Sequence, residues 1–255
     1  MCFTATGHGI VGELGPVMAA KYCHLCGSRL WGRGWVYQLN GTPEGPTFVV
    51  CRKCQESAPR CDVCHMPMAE EHVSLPDGRR VCSRCHQTAV YDHGRAQALF
   101  DRVTHIASDR LGLRLNVGTD FSLVDYQHLQ RLIKENGPSV QEDAARVVGL
   151  FLRKGHKRVI YILSGLPQIV FIHTVAHEWA HVWQGENCPL LHNELVREGF
   201  AEWAAHKTLE LMGAVKRLQS LIEREGLYGE GLRKMLALEQ QGGIPAVLAY
   251  CRRSD

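Results

Sequence analysis

An α+β fold in two parts is predicted by three observations. Eight of the eleven cysteines fall between positions 23 and 85 as four C-x-x-C pairs. From residue 92 cysteine pairing gives way to helical periodicity, and two β-rich runs precede the long helical segments near the C-terminus. The expected organisation is a segment over 1–22, a cysteine-rich module of zinc-anchored β-hairpins over 23–91, and a mostly helical domain with a small sheet over 92–255.

A chain of 255 residues that is 45% hydrophobic is long enough for one large or two small domains with real cores. No apolar run reaches the roughly 18 residues of a membrane span, and the opening "MCFTATGHGIVGELG" lacks the basic and apolar regions of a secretory leader. A soluble, cytoplasmic protein without a membrane partner is expected. The formal charge is +3 and no block of five like charges occurs, so a nucleic-acid partner is not expected. Thiolate-bound zinc would lower that charge further.

The pairs are Cys23/Cys26, Cys51/Cys54, Cys61/Cys64 and Cys82/Cys85. A C-x-x-C turn aims two sulfurs at one tetrahedral centre about 2.3 Å away, so two turns close a four-thiolate zinc site and four pairs imply two zinc ions. With four thiolates and no open position, these metals would be structural. The competing reading, disulfides or redox pairs, lacks both a leader and a thioredoxin-like strand–helix context. His24, His65 and His86 each abut a cysteine and read as solvated knuckle residues. Between the pairs, "GSRLWGRGWVYQLNGTPEG" and "HVSLPDGRRVC" read as hairpins, the second turning at Asp77-Gly78.

The order of pairs resembles a LIM domain, which implies one zinc on Cys23, Cys26, Cys51 and Cys54 and a second on Cys61, Cys64, Cys82 and Cys85. Cys51 stands where that family usually has histidine, and six residues, "QESAPR", separate the halves where two are usual. Looser packing of the halves is therefore expected, and an interleaved, RING-like pairing fits the same spacing.

In the second part, "RAQALFDRVTHIASDRLGL" places Ala98, Leu99, Val103, Ile106 and Leu111 on one helical face. Strands are expected over 114–117 and 146–152, then a "KGHK" turn and a strand "RVIYILSG" that closes a hairpin. Pro167 suits the start of a helix running through "QIVFIHTVAHEWAHVWQ" to Gly185. Asn193 suits an N-cap for "ELVREGFAEWAAHKTLELM", which Gly213 ends. Two or three more helices, broken at Gly226 and at Gly242-Gly243, complete the chain.

Within that buried helix His177 and His181 are four apart and share a face, so their imidazoles converge on one zinc, while Glu178 reaches the adjacent position as general base. After sixteen intervening residues Glu198 supplies a third ligand from the next helix. Two histidines and a glutamate leave one coordination position open, the arrangement of a catalytic zinc. One turn beyond, Glu202 is placed to accept the N–H of a ligating histidine, and His206 to face the site as a transition-state donor. His173 reads as a packed or supporting residue. Three zinc ions per chain are thus expected, one catalytic and two structural. The pattern is that of a gluzincin.

"PRCDVC", "DGRRVCSRC", "LSGLP", "AHEWAHVW", the sixteen-residue gap and "REGFAEWAAHK" together resemble the LIM-peptidase family of the plant organ-size regulator DA-one, over residues 55 to 210. The resemblance implies a latent zinc endopeptidase, activated by ubiquitination, that performs limited cleavage of protein substrates. Ubiquitin or a ubiquitin-like protein is the implied activator. No acidic ubiquitin-interacting helix precedes Cys23, and a compact, microbial-type member is expected. The strand over 146–152, if it forms the sheet edge beside the cleft, would align substrate by β-addition. Two other readings compete: an interaction scaffold with an inert zinc site, against which the intact Glu178 counts, and a zinc-finger nucleic-acid binder, against which the low charge counts.

Overall fold

A computed structural model of the chain describes residues 2–4, 22–31, 34–38, 47–69, 71–136 and 147–253. The chain divides into two compact units, Ala5–Thr88 and a larger one made of Met1–Thr4 with Ala89–Asp255. The first strand, β1 (Cys2–Thr4), belongs to the larger unit.

The cysteine-rich unit is built from two-stranded hairpins and single helical turns. β2 (Trp35–Gln38) pairs antiparallel with β3 (Thr47–Val50), and α1 (Arg52–Ser57) follows. β4 (Val73–Ser74) and β5 (Arg80–Val81) form the second hairpin, followed by α2 (Ser83–Gln87). Its turn is at Asp77-Gly78 as the sequence predicts, with Gly78 at φ 88° and the Asp77 carboxylate 2.8 Å from the Arg79 guanidinium. The six-residue spacer does not loosen the halves. Arg60 donates to the carbonyls of His65 and Gln55, Met68 N donates to Pro59 O, and Met66 packs in the first core with Cys23, Tyr37, Val50 and Cys54.

In the larger unit β6 (Ala89–Val90) leads to α3 (His93–Arg110), capped by the Asp92 carboxylate, which accepts from Arg95 N at 2.7 Å. The buried face of α3 is Ala96, Phe100, Val103 and Ala107, continued by Leu111, rotated from the expected one. Ala98 is exposed, and Leu99 and Ile106 are half-buried. Phe100 sets the rotation, stacking on Phe121 at 4.8 Å and meeting Trp179 edge-on at 6.2 Å.

The expected strand over 114–117 is absent, and β7 starts later, at Asp120–Val124. Leu113 is already engaged on both sides: its N–H donates to Ala107 O, and its carbonyl accepts from the Trp179 indole at 3.0 Å. α4 (Tyr126–Asn136), which the sequence reading missed, buries only Leu129 and Ile133, too short a pattern to stand out. β8 (Val147–Lys154) and β9 (Lys157–Leu163) form the expected hairpin across Gly155, at φ 58°. The sheet order is β1-β8-β9-β7, with β7 parallel to β9 and the other pairings antiparallel. β8 is therefore an interior strand: Cys2, Phe3 and Thr4 pair with Leu150, Gly149 and Val147 where a free edge had been expected.

β10 (Leu166–Pro167) pairs with β6 and leads into α5 (Gln168–Asn187), with Pro167 at the N-cap position. Every residue from Val170 to Gln184 is buried, so α5 is a core helix and continues two residues past Gly185. α6 (Glu194–Leu211) is capped by Asn193, whose side chain accepts from Val196 N, and Gly213 follows its end at φ 79°. α7 (Val215–Ile222) and α8 (Gly226–Arg253) finish the unit, α8 kinking at Gly242 and Gly243. A Cβ on Gly199 would lie 2.5 Å from Gly231 Cα, so α6 and α8 touch backbone to backbone.

The result is mixed α+β, with small sheets and mainly C-terminal helices. No helix among the described residues is long and apolar enough to cross a membrane.

Candidate active site and metal centres

The sulfurs of Cys23, Cys26, Cys51 and Cys54 form one group and those of Cys61, Cys64, Cys82 and Cys85 another, all within 4.8 Å of one another in each. The pairing is sequential, which settles the alternative that spacing left open. Across the groups Cys26 and Cys51 are 3.7 Å apart and Cys64 and Cys82 3.9 Å. A tetrahedron with bonds of about 2.3 Å has edges of about 3.8 Å, whereas a disulfide needs about 2.05 Å. Backbone N–H groups point at the sulfurs: Cys51 N at Cys23, Cys54 N at Cys51 and Cys82 N at Cys61. Such donors stabilise thiolates. The contact with Cys64 draws the Cys61 thiol far down and pushes Cys64 up, as expected of crowded sulfurs sharing protons. His24 and His65 belong to neither group. The His24 ring accepts from Val49 N at 2.7 Å, and His65 takes the left-handed position after the second knuckle, φ 56°, which Gly27 takes at 69° in the first.

In the larger unit one turn of α5 brings His177 and His181 onto one face, their Nε2 atoms 3.0 Å apart. α6 lays Glu198 against both, with Oε2 at 3.4 Å from His177 Nε2 and 3.5 Å from His181 Nε2. Bonds of about 2.0–2.1 Å to one tetrahedral zinc would separate such donors by about 3.3 Å. Glu198 Oε2 is buried with no hydrogen-bond partner among the described residues, and the donor set His, His, Glu is a zinc set. The residues fit the metal.

Glu178, next in sequence, is fully buried, and neither carboxylate oxygen has a hydrogen-bond partner among the described residues. Burial pushes its pKa up, against the pull of His181 and His177. Its carboxylate lies under β8 at Gly149, where a Cβ would come 3.1 Å from Oε1 and 2.3 Å from Thr174 Cγ2. Only glycine lets the strand lie so close to α5.

Glu202 Oε1 is 3.3 Å from His177 Nδ1, and Oε2 is 3.2 Å from His173 Nε2. Burial acts against the charge on all three members of the His177–Glu198–Glu202 cluster, yet the carboxylates outweigh it and lift His177 to about 9. Burial is likewise overcome at Glu198 and Glu202, whose pKa values fall well below the usual carboxylate range beside the histidines. His206 is buried, its pKa lowered by desolvation, and neither ring nitrogen has a hydrogen-bond partner among the described residues. No hydrogen bond or ion pair carries it to His177, Glu178, His181 or Glu198.

Three residues escaped the sequence reading. Gln184 Oε1 accepts from His181 Nδ1 at 2.8 Å, its amide orientation set by Nε2 donating to Arg197 O at 2.9 Å. That leaves His181 Nε2 free of its proton and facing the donor set. Tyr228 has its ring 6.2 Å from that of His177, with Arg224 stacked over it at 4.4 Å and reaching Glu202 at 3.7 Å. Gln184 carried a usable signal, being three residues beyond His181 on the same helical face; Tyr228 lies 51 residues from its neighbour His177 and carried none.

No family model and no solved structure matches the chain. Two curated proteins of Arabidopsis thaliana do. Protein DA1-related 6 is 23% identical over 233 residues, covering 74% of this chain and 34% of the relative. Protein DA1 is 24% identical over 211 residues, covering 70% of this chain and 40% of the relative. The chain spans between a third and two-fifths of the length of these curated relatives, and is similar to them at the level of distant homology.

Proposed function

We propose that the chain is a zinc-dependent endopeptidase of gluzincin type, with a LIM-like double-zinc module ahead of its catalytic domain. The observation that carries this is the unpartnered, buried Glu178 carboxylate beside a compact His177, His181, Glu198 donor set. A site that merely stored metal would have no use for an uncompensated buried carboxyl group, which costs several kcal/mol of desolvation, roughly, unless function retains it.

When bound to those three residues, zinc supplies the positive charge that acidifies water and polarises a peptide carbonyl. Glu178 removes the proton from the attacking water and delivers it to the departing amine. Gln184 and Glu202 hold the two imidazoles in register by their Nδ1 atoms. Burial of the whole cluster excludes competing water.

The substrates in this reading are proteins, cleaved at limited sites, and the enzyme is latent. β1 supports latency, because it occupies the side of β8 on which an incoming substrate strand would pair, opposite Gly149 and beside Glu178. Release would come through the LIM-like module or a ubiquitin-type modification, as in the family that the motifs resemble, here in a compact, microbial-type form.

Glu178→Gln tests the reading. It keeps shape and all three ligands, so zinc content and melting temperature should hold while cleavage of an unfolded protein substrate falls by about 10²–10⁴-fold or more. Equal cleavage by the two proteins at matched zinc loading would leave only a zinc-bearing scaffold.

A further inference from the structure

Two cysteines outside the zinc groups meet in the helical unit. Cys188 ends α5 and Cys251 lies in the last turn of α8, 63 residues away, yet their sulfurs are 3.6 Å apart and both are buried. A disulfide would need the sulfurs to approach by a further 1.5 Å or so. The backbone can supply that movement, because Cys188 opens the non-helical stretch "CPLLHN" between α5 and α6. Cys251, by contrast, is fixed in a helix with no exposed surface, while Cys188 keeps 6% exposure for a reagent.

The pair is wired to the candidate active site. Gln184 Nε2 contacts Cys251 Sγ at 3.7 Å, and the same side chain accepts from His181 Nδ1 at 2.8 Å. We propose that Cys188 and Cys251 are a reversible thiol–disulfide site, closed by low-molecular-weight disulfides of the glutathione type, and that closure alters the hold of Gln184 on His181. The closure stands apart from the peptidase reading; its effect on His181 rests on it.

The chemistry balances as two exchanges. The Cys188 thiolate attacks one sulfur of the oxidant, forming a mixed disulfide and releasing one thiol, which takes up the first proton. Cys251 then gives up its proton and attacks Cys188 Sγ, expelling the second thiol. Two protein thiols are oxidised and one external disulfide is reduced. Cys188 suits the first step. In the neutral pair it donates to Cys251, but once ionised it accepts from the Cys251 thiol, and with the charge of Arg252 nearby this lowers its pKa. The contact and burial raise Cys251, which suits the thiol that waits.

The test uses the zinc-loaded full chain, treated with oxidised glutathione and digested without reduction. A linked peptide pair holding Cys188 and Cys251 is expected, reversed by reduced glutathione and missing from Cys188→Ser and Cys251→Ser. A stable glutathione adduct on Cys188, or no modification of either residue, overturns the site. The second readout is the rate at which a chelator strips the most labile zinc. It should change by about threefold or more on oxidation, less than the ~10–100-fold of losing a supporting partner outright, and should stay constant in treated Cys188→Ser. Linkage without that change refutes the coupling to His181. A chain with no third, labile zinc refutes the peptidase reading instead, and leaves the linked peptide to judge the thiol site.

Discussion

In the cysteine-rich unit the cores are built around the clustered cysteines themselves. Cys23 and Cys54 pack with Tyr37, Val50 and Met66, and Cys61 and Cys85 with Val63, Met68 and Val81. In the helical unit the order is reversed: Phe171, Trp183, Phe200 and Trp203 fill a core that would close without His177, His181 or Glu198, which are polar inclusions in it. Small hairpins of two to four residues per strand cannot bury enough apolar surface to hold themselves together, so in the proposed reading bound zinc carries the fold there. Two packed helices of 20 and 18 residues can, so a zinc held between them would be free to carry the proposed chemistry.

The largest effect expected from this contrast is on metal removal. Strong chelation should unfold the two cysteine clusters between Cys23 and Cys85 while α5, α6 and α8 persist, because structural zinc contributes on the order of 10–16 kcal/mol to such folds. Hydrogen exchange on the full chain reads both units at once: rapid exchange over 22–88 beside protected amides in α5 and α6 is the expected pattern. Cys82→Ser should do the same to the second cluster alone. Loss of protection in α5 on chelation would break the comparison.

Next comes Glu198→Gln. A neutral amide in place of the carboxylate should lower affinity for the third zinc by more than the roughly 10–100-fold typical of losing a supporting partner, and activity should fall with it, recovering in part in excess zinc. The melting temperature of the helical unit should change little. Gly149→Ala should reverse that signature. The added methyl meets Thr174 Cγ2 at 2.3 Å and Glu178 Oε1 at 3.1 Å. Overpacking of this kind costs about 1–3 kcal/mol, so melting temperature and activity should drop together while zinc content holds. An unchanged melting temperature would show that β8 has room over α5.

The same contrast explains what was legible in the sequence. Metal ligands announce themselves by spacing, because the geometry is local: C-x-x-C turns, two histidines one turn apart, and a glutamate one connection later all appear in the structure as compact groups. A helix cap was legible for the same reason, at Asn193. What depended on long-range packing was not. The face of α3 is turned by Phe121 and Trp179, neither of which is in that helix. The strand expected over 114–117 does not form, and Leu113 just before it is tied to α3 and to an indole 66 residues away. Pairing of β1 with β8 joins residues nearly 150 apart, and no local pattern marks it. Helical spacing put His206 two turns from Glu198, and there it is buried, with neither ring nitrogen hydrogen-bonded among the described residues.

The smallest expected effect sharpens the comparison through charge. Arg158, buried in β9, donates to Glu186 near the end of α5 at 2.7 Å, with Arg153 at 3.4 Å. The Arg158 hydrogen bond holds the Glu186 carboxyl below its ordinary value. A carboxyl whose pKa is lower folded than unfolded binds more protons in the unfolded chain. Its stabilisation is present above the unfolded value of about 4.3 and is lost as pH falls through the folded one. Glu186→Gln should therefore destabilise the helical unit at pH 7 by about 1 kcal/mol or less, since the glutamate keeps some solvent. The difference from wild type should begin to shrink as pH falls below the unfolded value and vanish only once it is below the lower, folded one. The cysteine-rich unit offers the control: Arg52 and Glu56 sit 2.7 Å apart with both ends exposed, and Glu56→Gln should shift nothing measurable at any pH. A shift at Glu56 as large as that at Glu186 would mean that exposed pairs help hold the small unit, and that zinc is not alone in doing so.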